Sequence, residues 1–130
     1  MNLFEFKIST GKQGLYNITA MVTAAIGESG VTDGLCHIFT PHTTSAITIN
    51  ENADPDVVDD FMLGLNATFP DRREFRHSEG NSAAHLKSSC VGAGETVIVS
   101  EGRPLLGTWQ GIYFCEFDGP RMRRYYVKVM

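Results

Sequence analysis

Residues 112–117 read Ile-Tyr-Phe-Cys-Glu-Phe, and no other segment limits the fold as strongly. At the two-residue period of a strand, Ile112 and Phe114 fall on one face and Tyr113, Cys115 and Phe117 on the other. A strand apolar on both faces belongs in the centre of a sheet, not at its edge. Glu116 shares a side with Ile112 and Phe114. A carboxylate there is costly unless paired, so it faces a partner charge or a pocket. Arg121, Arg123 and Arg124 follow the Asp118-Gly119-Pro120 turn and supply candidate partners. A structural ion pair and a catalytic acid both satisfy this pattern.

The chain has 130 residues, enough for one domain and a core without disulfide support. Its 42% hydrophobic and 20% charged composition is that of a globular protein. Cys36, Cys90 and Cys115 are widely spaced and form no CxxC, which points to a reducing cytoplasm with thiols as small core residues. No apolar run approaches the roughly 20 residues of a membrane span. Met1–Thr10 carries Glu5 and Lys7, unlike a secretory leader. The net charge of −4 argues against nucleic acid as a partner. That charge is uneven, with two Lys/Arg against eight Asp/Glu in residues 1–60 and nine against seven in the remainder.

Leu3–Ile8 alternates as a half-buried strand. Ile18, Met21, Val22, Ala25 and Ile26 recur at helical spacing, with Asn17 able to cap the start and Gly30 to end the helix. Leu35–Thr40 and Ser45–Asn50 read as strands, and the alternation groups His37 with Leu35 and Phe39 as a satisfied core histidine. Asp54-Pro55-Asp56 opens a second helix, whose buried stripe is Val57, Val58, Phe61, Met62 and Leu65. A third helix starts at Asn81 or Ser82 and runs to about Val91. Thr96–Ser100, Thr108–Phe117 and Met122–Val129 complete the strands. Without regular βαβ alternation, the expected class is α+β: a single domain, residues 1–130, with a mostly antiparallel sheet or sandwich and about three helices.

His42 follows a strand and a proline at a sheet rim, His77 lies in a polar loop, and His85 lies inside the third helix. Neutral imidazoles are both metal ligands and bases near pH 7. No pair has the i, i+4 spacing of a helical zinc motif, so a shared site requires tertiary assembly. The spacing by itself favours solvated or hydrogen-bonded structural histidines. Glu51, Asp54, Asp56, Asp59 and Asp60 form an acidic segment of the kind hard cations need, although Asp54 and Asp56 already serve a helix start. Gly80-Asn81-Ser82 opens a helix that contains Lys87, an arrangement suited to anions or to an ordinary capped helix. Trp109, the only tryptophan, is a core filler or a flat wall for a ring-shaped ligand.

Six ordered segments carry a resemblance across nearly the whole chain. They are Pro41-His42-Thr43-Thr44-Ser45-Ala46-Ile47, Asn50-Glu51-Asn52-Ala53-Asp54-Pro55-Asp56, His77-x-Glu79-Gly80-Asn81, Ala84-His85-Leu86-Lys87-Ser88-Ser89, Gly107-Thr108-Trp109-Gln110 and Glu116-Phe117-Asp118-Gly119-Pro120-Arg121. In these the sequence resembles the YjbQ-like, or secondary thiamine-phosphate synthase, family. The resemblance implies a homotrimer with clefts where subunits meet. It places His42, His77 and His85 on the family's histidine positions, where a divalent metal such as zinc or magnesium is held.

The implied reaction joins a pyrimidine diphosphate to a thiazole phosphate with loss of diphosphate. For it the chain offers Asn52, Asp54, Glu79 and Asn81 as polar lining and Trp109 for stacking, with Glu116 as a further acid. Gly80, Asn81, Ser82, Lys87 and Arg121 would receive phosphate. The rival readings are a non-catalytic binding protein for a phosphorylated metabolite or metal, and a polar network that serves only the trimer interface.

Overall fold

Wherever one strand face is apolar and the other polar, the chain forms a sheet with a side to hide. Two such sheets are stacked here. The computed structural model describes residues 2–130. In chain order the elements are β1 (Leu3–Ser9), β2 (Gly14–Asn17), α1 (Thr19–Ser29), β3 (Asp33–Phe39), β4 (Ser45–Glu51), α2 (Pro55–Thr68), α3 (Ser82–Val91), β5 (Gly94–Ser100), β6 (Arg103–Pro104), β7 (Gln110–Glu116) and β8 (Met122–Val129). A five-stranded sheet has the order β1-β8-β3-β5-β6, and a three-stranded sheet has the order β2-β7-β4. Every strand pair is antiparallel, and β7 is central in its sheet. The α+β class expected from the sequence is the class observed.

The main core lies between the sheets. Cys36, Ile38, Val97, Val99, Tyr125, Val127 and Val129 meet Ile47, Ile112 and Phe114, and Ile18, Val22, Ala25 and Ile26 of the α1 segment complete the cluster. The other face of the three-stranded sheet is covered too. There Ala46, Cys115 and Phe117 pack with Ala84 of α3, and Phe61, Met62 and Leu65 of α2 lie against them. β7 is apolar on both sides because it is the middle strand of the middle layer.

Local chemistry sets the helix ends. Asn17 Oδ1 accepts from the Thr19 amide at 3.0 Å and the Thr19 hydroxyl at 2.6 Å, and Gly30 closes α1 at φ 75°. That left-handed conformation suits glycine. Asp54 Oδ1 accepts from the Asp56 amide at 2.9 Å, with Pro55 in the first turn of α2.

Several expectations need correction. The buried side chains of β3 are Cys36 and Ile38, because these face α1 and β7. His37, Leu35 and Phe39 therefore point outward, and the His37 ring Nδ1 pairs with Thr96 Oγ1 at 2.8 Å. Met21 is exposed, not part of the α1 stripe. The stripe of α2 is only half-buried, with no fully buried residue, and Leu63 is 70% exposed. β2 and the two-residue β6 are too short to carry a readable period.

Gly119 shows how tightly the loops near the sheet ends are fitted. Its amide donates to Lys12 O at 2.9 Å, and a Cβ at this position would lie 1.9 Å from Gly11 O. Gly119→Ala therefore forces two backbone segments apart. It should destabilise the fold by about 1–3 kcal/mol, measured by denaturant unfolding, as overpacking does.

Candidate functional site

The site grows from the end of β7 where Glu116 leaves the core. Glu116 has 0% exposure and Arg123 of β8 has 3%, so the pair bridges the two sheets in the interior. Arg123 Nε donates to Glu116 Oε1 at 2.8 Å and Nη2 to Oε2 at 2.6 Å, a bidentate fork. The Thr10 hydroxyl donates to Oε1 at 2.6 Å and the Asp118 amide to Oε2 at 2.9 Å. Burial pushes the Glu116 carboxyl up, but these four donors outweigh it and hold the group below the usual carboxylate range. Arg123 Nη2 also reaches Thr44 Oγ1 at 2.8 Å, which ties the loop before β4 to the pair. Glu116 is thus a positioning group behind the site, with no exposed atom to offer a ligand.

In front of that pair lies an open hollow of about 370 Å³. Its lining includes His42, Thr43 and Thr44 from the segment before β4, His77, Glu79, Asn81 and His85 from the loop and helix of α3, and Arg121 and Arg123 from the start of β8. The three imidazoles, 43 residues apart along the chain at their extremes, converge within one subunit. α3 carries His85 into place because Ala83, Ala84, Lys87 and Ser88 face inward and the Ser88 hydroxyl donates to Ser45 O at 2.6 Å. His85 then sits at the rim, edge-on to His77 with ring centroids 5.3 Å apart.

His42 is held differently. Its Nε2 accepts the Arg124 amide at 3.1 Å, which places the ring proton on Nδ1. Burial lowers its pKa, and Arg123 and Arg124 lower it further, while Glu116 opposes them. His42 is therefore a neutral ring whose one lone pair is already engaged.

The donor set can be tested against a metal. His77, His85 and Glu79 offer two imidazole nitrogens and a carboxylate around one open space, which suits a borderline cation better than magnesium. Among the described residues no three His, Cys, Asp or Glu side chains are gathered tightly enough to hold an ion. The His77 and His85 rings stand edge-on with centroids 5.3 Å apart, and any further positions around an ion would fall to solvent or to a bound molecule. His42 joins them only by giving up the Arg124 amide.

Arg121 lines the hollow and is anchored by Asp118, with Nη2–Oδ2 at 3.0 Å and Nε to the Asp118 carbonyl at 2.9 Å. Gly80 and Lys87 lie in an adjoining recess, which shares Asn81 with the hollow, and Ser82 begins α3 beside it. Asn52, Asp54 and Trp109 are not brought to the histidines in this chain. Pairing of Ser45 with Glu116 and of Glu51 with Gln110 puts them past the other end of β7, about 20 Å away at strand rise. There Asn52 and Asp54 share a pocket with Tyr113, and Trp109, 62% exposed, accepts the Asn52 amide at its carbonyl. Thr10, Lys12 and Thr44 were not singled out from the sequence. Their roles depend on partners 70 to 110 residues away, and nothing local signals them.

The family described as UPF0047 protein YjbQ-like matches residues 4–130. The chain belongs to the YjbQ/UPF0047 family. It is 54% identical over 129 residues to UPF0047 protein MJ1081 of Methanocaldococcus jannaschii, covering 98% of this chain and 94% of that relative. It is 54% identical over 123 residues to UPF0047 protein YugU of Bacillus subtilis, covering 94% and 93%. A YjbQ/UPF0047 crystal structure from Clostridium acetobutylicum superposes with TM-score 0.95 at 48% identity, covering 98% of this chain and 99% of that one. A Sulfolobus solfataricus structure described as of unknown function gives 0.93 at 32% identity, covering 98% and 94%.

Two predictions follow from the buried pair and from His42. Arg123→Met alone leaves a buried carboxylate unpaired and should cost about 3–5 kcal/mol in urea unfolding, whereas Glu116→Leu with Arg123→Met should recover most of that loss. Because the folded pKa of His42 lies below its unfolded value of about 6.5, the unfolded chain binds the extra proton. The stability this contributes is complete above that value and falls as pH drops through the folded pKa. Metal-free His42→Asn should therefore lose stability less steeply than wild type on acidification below about pH 6.5.

Proposed function

We propose that the histidine hollow is the reaction centre of a cytoplasmic, homotrimeric transferase of the thiamine-phosphate synthase type. The observation that carries this reading is the convergence of His42, His77, His85, Glu79, Asn81 and Arg121 on one solvent-reachable space. The family resemblance, not the geometry, names the reaction. In it the bond from the pyrimidine methylene carbon to the diphosphate oxygen breaks and the thiazole nitrogen bonds to that carbon. Diphosphate leaves with the electron pair.

His77 and His85, with solvent or diphosphate oxygens completing the shell, would hold a divalent cation, which when bound supplies charge neutralisation for the departing diphosphate. Arg121, fixed by Asp118, presents guanidinium donors to phosphate oxygens. His42 offers a neutral N–H to an acceptor on the bound molecule and adds no charge of its own.

Trimer formation is supported by the outer face of the five-stranded sheet. Leu35, Phe39, Ile98 and Met122 are exposed there. A groove of about 270 Å³ lined by Lys7, His42, Met122, Arg123 and Arg124 runs between that face and the hollow. A ring of three copies joins two different patches at each interface. Asn52, Asp54 and Trp109 of one copy would then share a site with the histidines of the next. Free Cys36, Cys90 and Cys115 support a reducing compartment. No helix among the described residues is long and apolar enough to cross a membrane.

The test replaces His77 and His85 singly by Ala in protein purified without a histidine tag. Metal content, native mass and conversion of pyrimidine diphosphate plus thiazole phosphate are then measured. Loss of bound metal and a drop in product of about 100-fold or more support the reading, the range for lost metal ligation or acid–base help. Unchanged turnover in folded variants overturns it. Ligand-dependent thermal protection without product would instead favour a binding protein for a phosphorylated metabolite.

A further inference from the structure

Beside the histidine hollow, on the other side of Asn81, is a second recess of about 180 Å³. Its wall includes Lys12, Asp71, Gly80, Asn81, Ala83 and Lys87, and Asp118 and Gly119 close one end. Lys87 is the unusual group. It is 4% exposed, its ammonium has only the neutral Asn66 Oδ1 as hydrogen-bond partner, and among the described residues no carboxylate lies within 4 Å of it. Burying a charge in this way is unfavourable unless something compensates it. Burial lowers its pKa, and the exposed Asp71 is the negative charge that opposes this.

A second feature of the recess points the same way. Asn81 occupies the N-cap position of α3 but makes no side-chain cap. Its Nδ2 instead donates to Asp118 Oδ2 at 2.8 Å. Among the described residues the amide of Ala83, in the first turn, has no side-chain or backbone acceptor, and Ala83 lines the recess. Asp118, which lines the recess, shares its Oδ2 between Asn81 Nδ2 and Arg121 Nη2, so this carboxylate is already matched by a guanidinium. Asn81 Oδ1 is buried without any partner at the wall common to both spaces. The amide cannot be flipped to satisfy it, since that would set two oxygens against each other.

We infer that this recess is an oxyanion subsite, in which Lys87, Lys12 and the Ala83 amide hold a phosphoryl or diphosphoryl group. The subsite stands on its own observations and does not require the hollow to be a ligand site. A tetrahedral oxyanion supplies the countercharge that Lys87 lacks, and the helix start directs its partial positive charge at the same place.

The experiment titrates inorganic phosphate and diphosphate into wild type, Lys87→Met, Lys12→Met and His77→Ala, by calorimetry or phosphorus NMR. Saturable binding by wild type, weakened about tenfold in Lys87→Met and less in Lys12→Met, supports the subsite, the size expected for one charge-assisted hydrogen bond. Affinity in His77→Ala should stay within about twofold. Without anion, Lys87→Met should melt no lower than wild type, because it removes an uncompensated charge. A clearly lower melting point marks Lys87 as a structural partner of Asn66 and overturns the proposal, as does equal affinity in Lys87→Met. Should Lys87→Met fail to fold, undiminished affinity in Lys12→Met, a surface change, has the same consequence. Loss of anion binding in His77→Ala would merge the recess with the hollow and refute a separate subsite. Anion binding without metal or turnover leaves the subsite intact and removes the reaction proposed for the histidines.

Discussion

Glu116 and Arg123 meet where the two sheets of this protein come together, and both the packing and the hollow depend on that contact. Each side chain alone would be a buried charge, and the interior tolerates them only as a bidentate pair with Thr10, Thr44 and the Asp118 amide filling the remaining positions. The pair fixes three loops at once: the end of β1, the segment before β4, and the turn after β7. Those loops, with the start of α3, carry Thr10, His42, Thr44, Asn81, Asp118 and Arg121. An apolar pair of similar volume would hold the sheets together equally well. It would not orient Thr44 or turn guanidinium donors toward the hollow. The ion pair thus contributes to specification of the loops more than to net stability.

The fold was legible in the sequence where periodicity was long and one-sided. β1 alternates over seven residues, and its half-buried side is the one that the phenylalanines mark. β7 announced its central place by being apolar on both faces. In β3 periodicity does not decide the inward face, since Leu35, His37 and Phe39 make as plausible an apolar row as Cys36 and Ile38. The contest is decided by α1 and β7, which pack against the smaller set. α2 has a well-formed apolar stripe and a clear cap, yet leaves much of that stripe half-exposed. A stripe predicts which side turns inward, not how much cover the rest of the chain provides.

The site was legible in part, for a related reason. His42, His77 and His85 each stand next to a local signal: a strand end with proline, a polar loop before a helix, and a short helix with a small-residue face. Their convergence needed the register of β4 on β7 and the Ser88–Ser45 contact, which no local pattern contains. Trp109, Asn52 and Asp54 had motifs of similar quality and lie at the far end of the same two strands. Motif strength reports that a residue matters locally, and strand register decides which of those residues meet.

The electrostatics of the hollow follow from which groups are free and which are engaged. Arg121 and Arg123 bring positive charge to its lining, but Arg123 is matched by Glu116 and Arg121 by Asp118. His42 is kept neutral by burial and by those same arginines, and the Arg124 amide occupies its lone pair. The region is therefore polar and rich in donors without a large excess of charge. Lys87, on the far side of Asn81, is the cation that the fold buries without a carboxylate beside it. In the reading proposed for them, anion attraction and imidazole chemistry would fall to neighbouring spaces with one shared wall, because the buried ammonium and the imidazoles lie on opposite sides of Asn81.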